Sequence, residues 1–232
     1  MTDLITEIQM LFNSVTIRAL LRALVLSFEL AGGILLASLC AGTLLACLKT
    51  YAGKIFGRIV TIYVEIFRNT PILFWIFVCY VAFPFGNQYI RAASGMFFAS
   101  TATICEIVRG GLNSIDRGQI EAGHSQGLST FQVMYAIVLP QCLRRVVPNF
   151  INQTISVFKD TSFLGQVAIP EFLYCCRQIL GTANKYTGHG IEARDAFIIF
   201  GMAAIVYFII NFLLSSLLRV LHQNTMTGGR TR

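Results

Sequence analysis

Residues 119–145 read QIEAGHSQGLSTFQVMYAIVLPQCLRR, and this polar, then periodic stretch decides how the rest of the chain is read. It opens with Glu121, His124, Ser125 and Gln126 between blocks that are otherwise strongly apolar. Gly127 follows, and a residue without a Cβ permits a sharp bend there. Ser129 suits the N-cap of a new helix, because its hydroxyl can accept from the unpaired amides of a first turn. Phe131, Met134 and Ile137/Val138 then recur at steps of three to four and draw an apolar stripe along one helical face. Pro140 closes the stretch, since proline inside a helix removes a hydrogen bond and clashes with the preceding turn. The spacing predicts a short helix, a glycine bend and a second short helix that stops at Pro140.

The surrounding blocks set the class. The chain has 232 residues, of which 55% are hydrophobic and 12% charged. A soluble domain carries about 25% charged residues, so the composition is that of an all-α, polytopic membrane protein forming one domain over 1–232. A net charge of +7 in a soluble chain would suggest nucleic acid. Here the basic residues fall mostly between apolar blocks, which assigns them to orientation in a bilayer and leaves no nucleic-acid partner. Seven cysteines show no Cys-x-x-Cys spacing, and Cys40, Cys47, Cys79 and Cys105 lie in apolar blocks. They read as small buried hydrophobes and not as metal ligands. Cys175 and Cys176 are adjacent, a placement that rarely forms a disulfide without strain. Gly42 precedes Lys49-Thr50 at the wrong spacing for a phosphate-binding loop, with no second glycine. Any ATP used must be hydrolysed by another chain. The N-terminal Asp3 and Glu7 without a basic n-region argue against a cleaved signal peptide, so the first apolar block is expected to stay as an anchor.

Five spans are expected: 24–48, 59–85, 89–108, 146–169 and 196–218, each near the roughly 20 residues needed to cross the hydrocarbon. In the first, Ser38, Gly42 and Ala46 recur every four residues, as do Gly33, Ala37 and Ala41, and small-residue rows of this kind let helices approach closely. In the second, Glu65 and Arg68 stand three apart and can pair on one face. Asn69-Thr70-Pro71 then interrupts the helix, and a polar break at membrane depth is tolerated only against protein or a water-filled cavity. Arg68 could alternatively sit at a helix start and reach toward headgroups. In the fourth, Asn149, Gln153, Ser156 and Asp160 fall at helical steps, so one polar stripe can face inward. Such groups mark either a solute path or interhelical pairs, for example Lys159 with Glu65 or Glu106. Residues 171–194 read as a polar loop in which His189 is solvated.

With these residues in view, the spacing Glu121-Ala122-x4-Gly127-x9-Ile137-x-Leu139-Pro140 resembles the EAA loop of ABC importer permeases. Gly123 stands where that family usually has a second alanine. Phe67-Arg68-Asn69-Thr70-Pro71-Ile72-Leu73 resembles the Arg-Gly-Thr-Pro segment of the polar amino-acid branch, with Asn69 in place of glycine. Residues 106–119, with Glu106, Arg109, Gly110 and Gly111, are similar to the same branch, though Thr103 lies where an aromatic is common. Phe158-Lys159-Asp160-Thr161-Ser162-Phe163-Leu164 resembles its Lys-Asp-Thr-Ser-Leu segment. The resemblance runs from about 20 to 221. It implies that 109–145 is a cytoplasmic coupling loop in which Glu121, Ala122, Gly127, Phe131, Ile137, Leu139 and Pro140 dock on an ATPase. It implies further partners: an ATPase subunit dimer, a second permease copy or paralogue, an extracytoplasmic solute-binding protein, membrane lipid and an amino-acid substrate. No cofactor is expected in this chain, with ATP and Mg held by the partner ATPase, and no covalent chemistry.

A zwitterion needs an acceptor for its ammonium and donors for its carboxylate. Asp160 or Glu65 could serve the first, and Gln153, Thr161 or Ser162 the second. The alternative class is a stand-alone secondary transporter or channel for a small polar solute, which would use the same charges without the EAA-like loop. If that loop is cytoplasmic, Lys49, Lys54, Arg58, Arg109, Arg117, Arg144, Arg145, Arg219, Arg230 and Arg232 fall inside. Arg18, Arg22, Arg91, Arg177, Lys185 and Arg194 then fall outside, in agreement with the positive-inside rule. This expectation places the chain in a bacterial inner membrane with its N-terminus outside and its C-terminus in the cytoplasm.

Overall fold

The computed structural model describes residues 4–188 and 190–227, which are helical with no strand among them. His189, Arg230 and Arg232 lie outside the described residues. After a short helix α1 (Leu4–Leu11), Asn13 starts α2 (Ser14–Tyr51) by accepting from the Val15 and Thr16 amides at 3.0 Å each. The expected second span divides into α3 (Lys54–Arg68) and α4 (Ile72–Ala82), bent by 105° at the Asn69-Thr70-Pro71 break. Helix α5 (Gln88–Asn113) is capped by Asn87. Next come α6 (Arg117–Ser125), α7 (Thr130–Val133) and α8 (Leu139–Asp160). Two small helices, α9 (Phe172–Gly181) and α10 (Asn184–Thr187), precede the long α11 (Ala193–Thr227).

Among the described residues, helices α2 and α11 are each long and apolar enough to cross a membrane, and α3 with α4 is so only as a pair bent by 105°, a broken span or a re-entrant loop. With 26 and 22 residues, α5 and α8 reach roughly 39 and 33 Å at 1.5 Å per residue. Both carry polar residues along their length, among them Ser100 and Thr101 buried in α5 and Gln153, Ser156 and Asp160 half-buried in α8.

Helix α5 is the centre of the fold, in contact with α2, α3, α4 and α8. Its small residues allow this. A Cβ on Gly95 would stand 2.5 Å from the Trp75 carbonyl oxygen of α4, and one on Gly42 of α2 would stand 2.8 Å from the Ile104 side chain. The row Ser38, Gly42 and Ala46 is buried against α5, whereas Gly33 and Ala37 of the second row are exposed. Only the first row is therefore a packing seam.

Three expectations need correction. Pro140 does not stop its helix. A π-helical turn over Met134–Val138 joins α7 to α8, and Pro140 occupies the first turn of α8. There the π turn has already interrupted the i→i−4 hydrogen-bond ladder, so a missing amide proton costs little. The helix that holds the expected fourth span consequently starts at Leu139, before 146. It also ends sooner, passing at Thr161 into a 3-10 turn (Thr161–Val167) that closes on Ala168 at φ +59°. Finally, 171–194 is not simply a loop. Glu171 caps α9 by accepting from the Leu173 and Tyr174 amides at 2.8 and 2.6 Å, and α9 packs Phe172, Cys176 and Ile179 onto α2 and α11. Burial pushes the Glu171 carboxyl up to about 7, against the opposing pull of those two amides and of Arg177. Nearby, Arg194 pairs with the buried Glu7 of α1 at 2.8 Å, which ties the N-terminal helix to the start of α11.

Candidate functional site

Two regions bring the sequence-predicted residues together. The first is the loop of α6, the Gly127 bend and α7. Asp116 caps α6 by accepting from the Gly118 amide at 2.7 Å. Gly127 sits at φ +81°, a left-handed backbone that L-residues rarely adopt, and this conformation turns the chain between α6 and α7. Ser129 caps α7 as expected and does so reciprocally with Gln132: the Gln132 amide donates to the Ser129 hydroxyl, and the Ser129 amide to the Gln132 side chain. Gly123, the departure from alanine, has a structural reason. A Cβ there would lie 2.8 Å from Val133 and 2.9 Å from Ile137, so glycine lets α6 close onto the π turn.

The apolar stripe divides differently from the expectation. Val133 and Val138 are buried and Ile137 turns toward α6, while Phe131 is 77% exposed. Phe131 stacks on Tyr135, itself 69% exposed, with ring centroids 6.4 Å apart and planes 5° from parallel. Glu121, Ala122 and Gly127 are also exposed, as is Pro140, and Leu139 is half-buried. Tyr135 was missed because the expected stripe ran from Phe131 through Met134 to Ile137/Val138. The signal that could have found it is the i, i+4 relation to Phe131.

The second region is a cavity of about 300 Å³ at the α3/α4 break. Arg68, Thr70 and Ile72 come from the break, Ser100 and Thr103 from α5, and Gln153, Ser156 and Asp160 from α8. Its walls are predominantly polar, and it holds a guanidinium and a carboxylate among its lining groups. Thr70 is fixed at the bend: its hydroxyl donates to the Ile66 carbonyl at 2.6 Å and accepts from the Trp75 indole. Of the expected polar stripe, Gln153, Ser156 and Asp160 reach the cavity and the exposed Asn149 does not.

Other expected path residues are placed elsewhere. Thr161 is fully buried and donates to the Phe158 carbonyl at 2.7 Å, and Ser162 lies beyond the cavity lining on the 3-10 turn. Glu65 is exposed outside the lining. It accepts from Asn69 at 2.7 Å and forms no ion pair with Arg68. Lys159 pairs with neither Glu65 nor Glu106. It is exposed beside Tyr207 and Asn211 of α11.

One turn beyond Thr103, Glu106 is held by two helices. One oxygen accepts from Lys49 of α2 at 2.6 Å, and the other accepts from the Arg109 guanidinium at 2.9 and 2.8 Å. Arg68 approaches the same carboxylate only to 3.9 Å. Lys49 is 57 positions from Glu106, which is why sequence reasoning missed the lysine. No group of three or more metal-ligating side chains occurs among the described residues.

Residues 33–226 match the family described as binding-protein-dependent transport system inner membrane component. The probable glutamine ABC transporter permease of Bacillus subtilis is 36% identical over 178 residues, covering 75% of this chain and 78% of the relative. The glutamine transport system permease of Escherichia coli is 31% identical over 200 residues, covering 84% of each. The fold is similar to that of an amino acid ABC transporter crystallised with histidines, with a TM-score of 0.76 and 21% identity over 89% of this chain and 94% of the other. Taken with the broken second span and the helix–glycine–helix loop, these matches establish that the chain belongs to the family of binding-protein-dependent transport system inner membrane components.

Proposed function

We propose that this chain is the transmembrane subunit of an ATP-driven importer that carries a polar amino acid, with the cavity at the α3/α4 break as part of the path. The observation that carries this reading is the cavity itself. A polar chamber at a broken helix, holding both charge signs, suits a zwitterion and would be costly in a span that served only as an anchor. Asp160 accepts the ammonium, and Gln153 and Ser156 offer hydrogen bonds along the same helix face. Glutamine permeases among the relatives support the substrate class.

Movement comes from outside the chain. A separate ATPase dimer, which binds ATP and Mg, docks on the exposed face of the α6–Gly127–α7 loop through Glu121, Ala122, Phe131 and Tyr135. Closure of that dimer reaches the spans because the π turn joins α7 to α8 without a break, and α8 carries Asp160. A second permease copy or paralogue completes the path, and a solute-binding protein delivers the amino acid on the side opposite the loop. In this arrangement the N-terminus faces outward and the C-terminus the cytoplasm. The test is Asp160→Asn, assayed for uptake and for ATPase co-purification. The variant should bring down the ATPase normally and lose uptake. Unchanged uptake with unchanged affinity would remove the cavity from the path.

A further inference from the structure

The carboxylate half of the substrate has few donors left among the expected residues. Thr161 is committed to the Phe158 carbonyl and Ser162 does not line the cavity, which leaves Gln153 alone. We infer that Arg68 receives the substrate α-carboxylate, opposite Asp160, which takes the ammonium. This deepens the reading of the cavity as an amino-acid path and rests on it.

Three observations support the assignment. Arg68 lines the cavity, its side chain is 46% exposed, and its guanidinium has no hydrogen-bond partner among the described residues. Its one ion-pair neighbour among the described residues, Glu106, is already satisfied: Lys49 holds one oxygen and Arg109 the other, so Arg68 stands at 3.9 Å, outside hydrogen-bonding range. The fork of the guanidinium is thus tethered by charge and available in geometry, and that fork matches a carboxylate in bidentate fashion. The backbone beside it also favours an anion. The 105° break starts a new 11-residue helix at Ile72, whose first residue lines the same cavity; the Phe74 amide donates to the Pro71 carbonyl at 3.0 Å, while the Ile72 and Leu73 amides have no backbone acceptor among the described residues. Arg68 and Ile72 line the cavity from the break, and Asp160 lines it from α8. The cavity thus offers a cation and an anion to the two opposite charges that an α-amino acid carries on its α-carbon.

Glu106 has a corresponding positioning role. Fully paired below the cavity, it keeps Arg68 oriented without capping it, so an arriving carboxylate does not have to break a formed hydrogen bond.

The test uses the purified permease–ATPase complex in nanodiscs without the solute-binding protein, so that selection by that protein does not enter. Direct binding is measured for the twenty standard L-amino acids and for the α-amide of each that binds. The wild type should prefer free acid to α-amide by about ten- to a hundredfold, the range for a charge-assisted hydrogen-bonded contact. Arg68→Gln should abolish that preference while leaving affinity for the amide unchanged. Arg68→Lys should keep part of the preference, and Asp160→Asn should keep it at lower overall affinity. A wild type that binds acid and amide equally overturns the assignment without any variant, and so does Arg68→Gln retaining the preference. A complex that binds none of the amino acids overturns the underlying reading of the cavity and this inference with it.

Discussion

Replacing Gly127 by asparagine and by aspartate separates backbone strain from docking. Both side chains must adopt the φ of +81° seen at this bend. Leaving the right-handed region costs an L-residue roughly 1–2 kcal/mol, and Asn and Asp tolerate it best. A Cβ at Gly127 meets nothing within 4 Å, so no steric cost is added. The two variants should therefore fold and enter the membrane alike, about 1 kcal/mol below the wild type. They differ only in charge. If the loop seats in a groove of the ATPase, the aspartate carboxylate is desolvated there without a partner. That penalty is roughly 2–3 kcal/mol, or about 30- to 150-fold in docking affinity. The assay compares both variants for membrane level, ATPase co-purification and substrate-stimulated ATP hydrolysis. Gly127→Asn should retain most coupling and Gly127→Asp should lose it at equal membrane level. Wild-type coupling in Gly127→Asp would refute the docking argument.

Other expectations follow from the packing and the charges. Gly95→Ala should lower thermal stability in detergent by about 1–3 kcal/mol, because the added Cβ meets the backbone of Trp75 at 2.5 Å and the helices must separate. An unchanged melting temperature would mean that α4 is free to shift. Glu106→Gln should cost about 2 kcal/mol by removing the shared acceptor of Lys49 and Arg109, and the loss should shrink in Glu106→Gln/Lys49→Gln; additive losses would deny the coupling. Glu171 should give pH-dependent stability. Its folded-state carboxyl is raised from 4.5 to about 7, so the protonated form is favoured in the fold. Stability is then greatest below 4.5 and declines as pH rises through 7. Glu171→Gln should flatten the melting temperature across that window, and an identical slope in both proteins would contradict the assignment.

Local signals in the sequence located much of this fold. Gly127, Ser129 and the Asn69-Thr70-Pro71 break each act through a neighbour within a few residues, and the structure uses each one as its chemistry suggests. Pro140 misled because a π turn feeds it into the first turn of α8, where its missing amide is harmless. The helix–glycine–helix loop was legible, but which side faces out was not. Phe131 and Ile137 share an apolar period yet are divided by the packing of α6, which only the close approach at Gly123 reveals. In the cavity, the α8 stripe of Gln153, Ser156 and Asp160 was readable from helical steps. The opposing wall was not, because Arg68, Ser100 and Thr103 meet it from different helices. The same holds for Lys49 with Glu106 and for Glu7 with Arg194, whose partners are chosen by tertiary contact alone.

The most direct test of the central claim is uptake of labelled L-amino acid into liposomes that hold this chain with its ATPase and solute-binding protein, compared with liposomes that hold the chain alone. The account predicts uptake only when the ATPase is present with ATP on its side of the membrane, and none from the chain by itself. Uptake by the chain alone, driven by an ion gradient and indifferent to ATP, would contradict it and identify a secondary transporter.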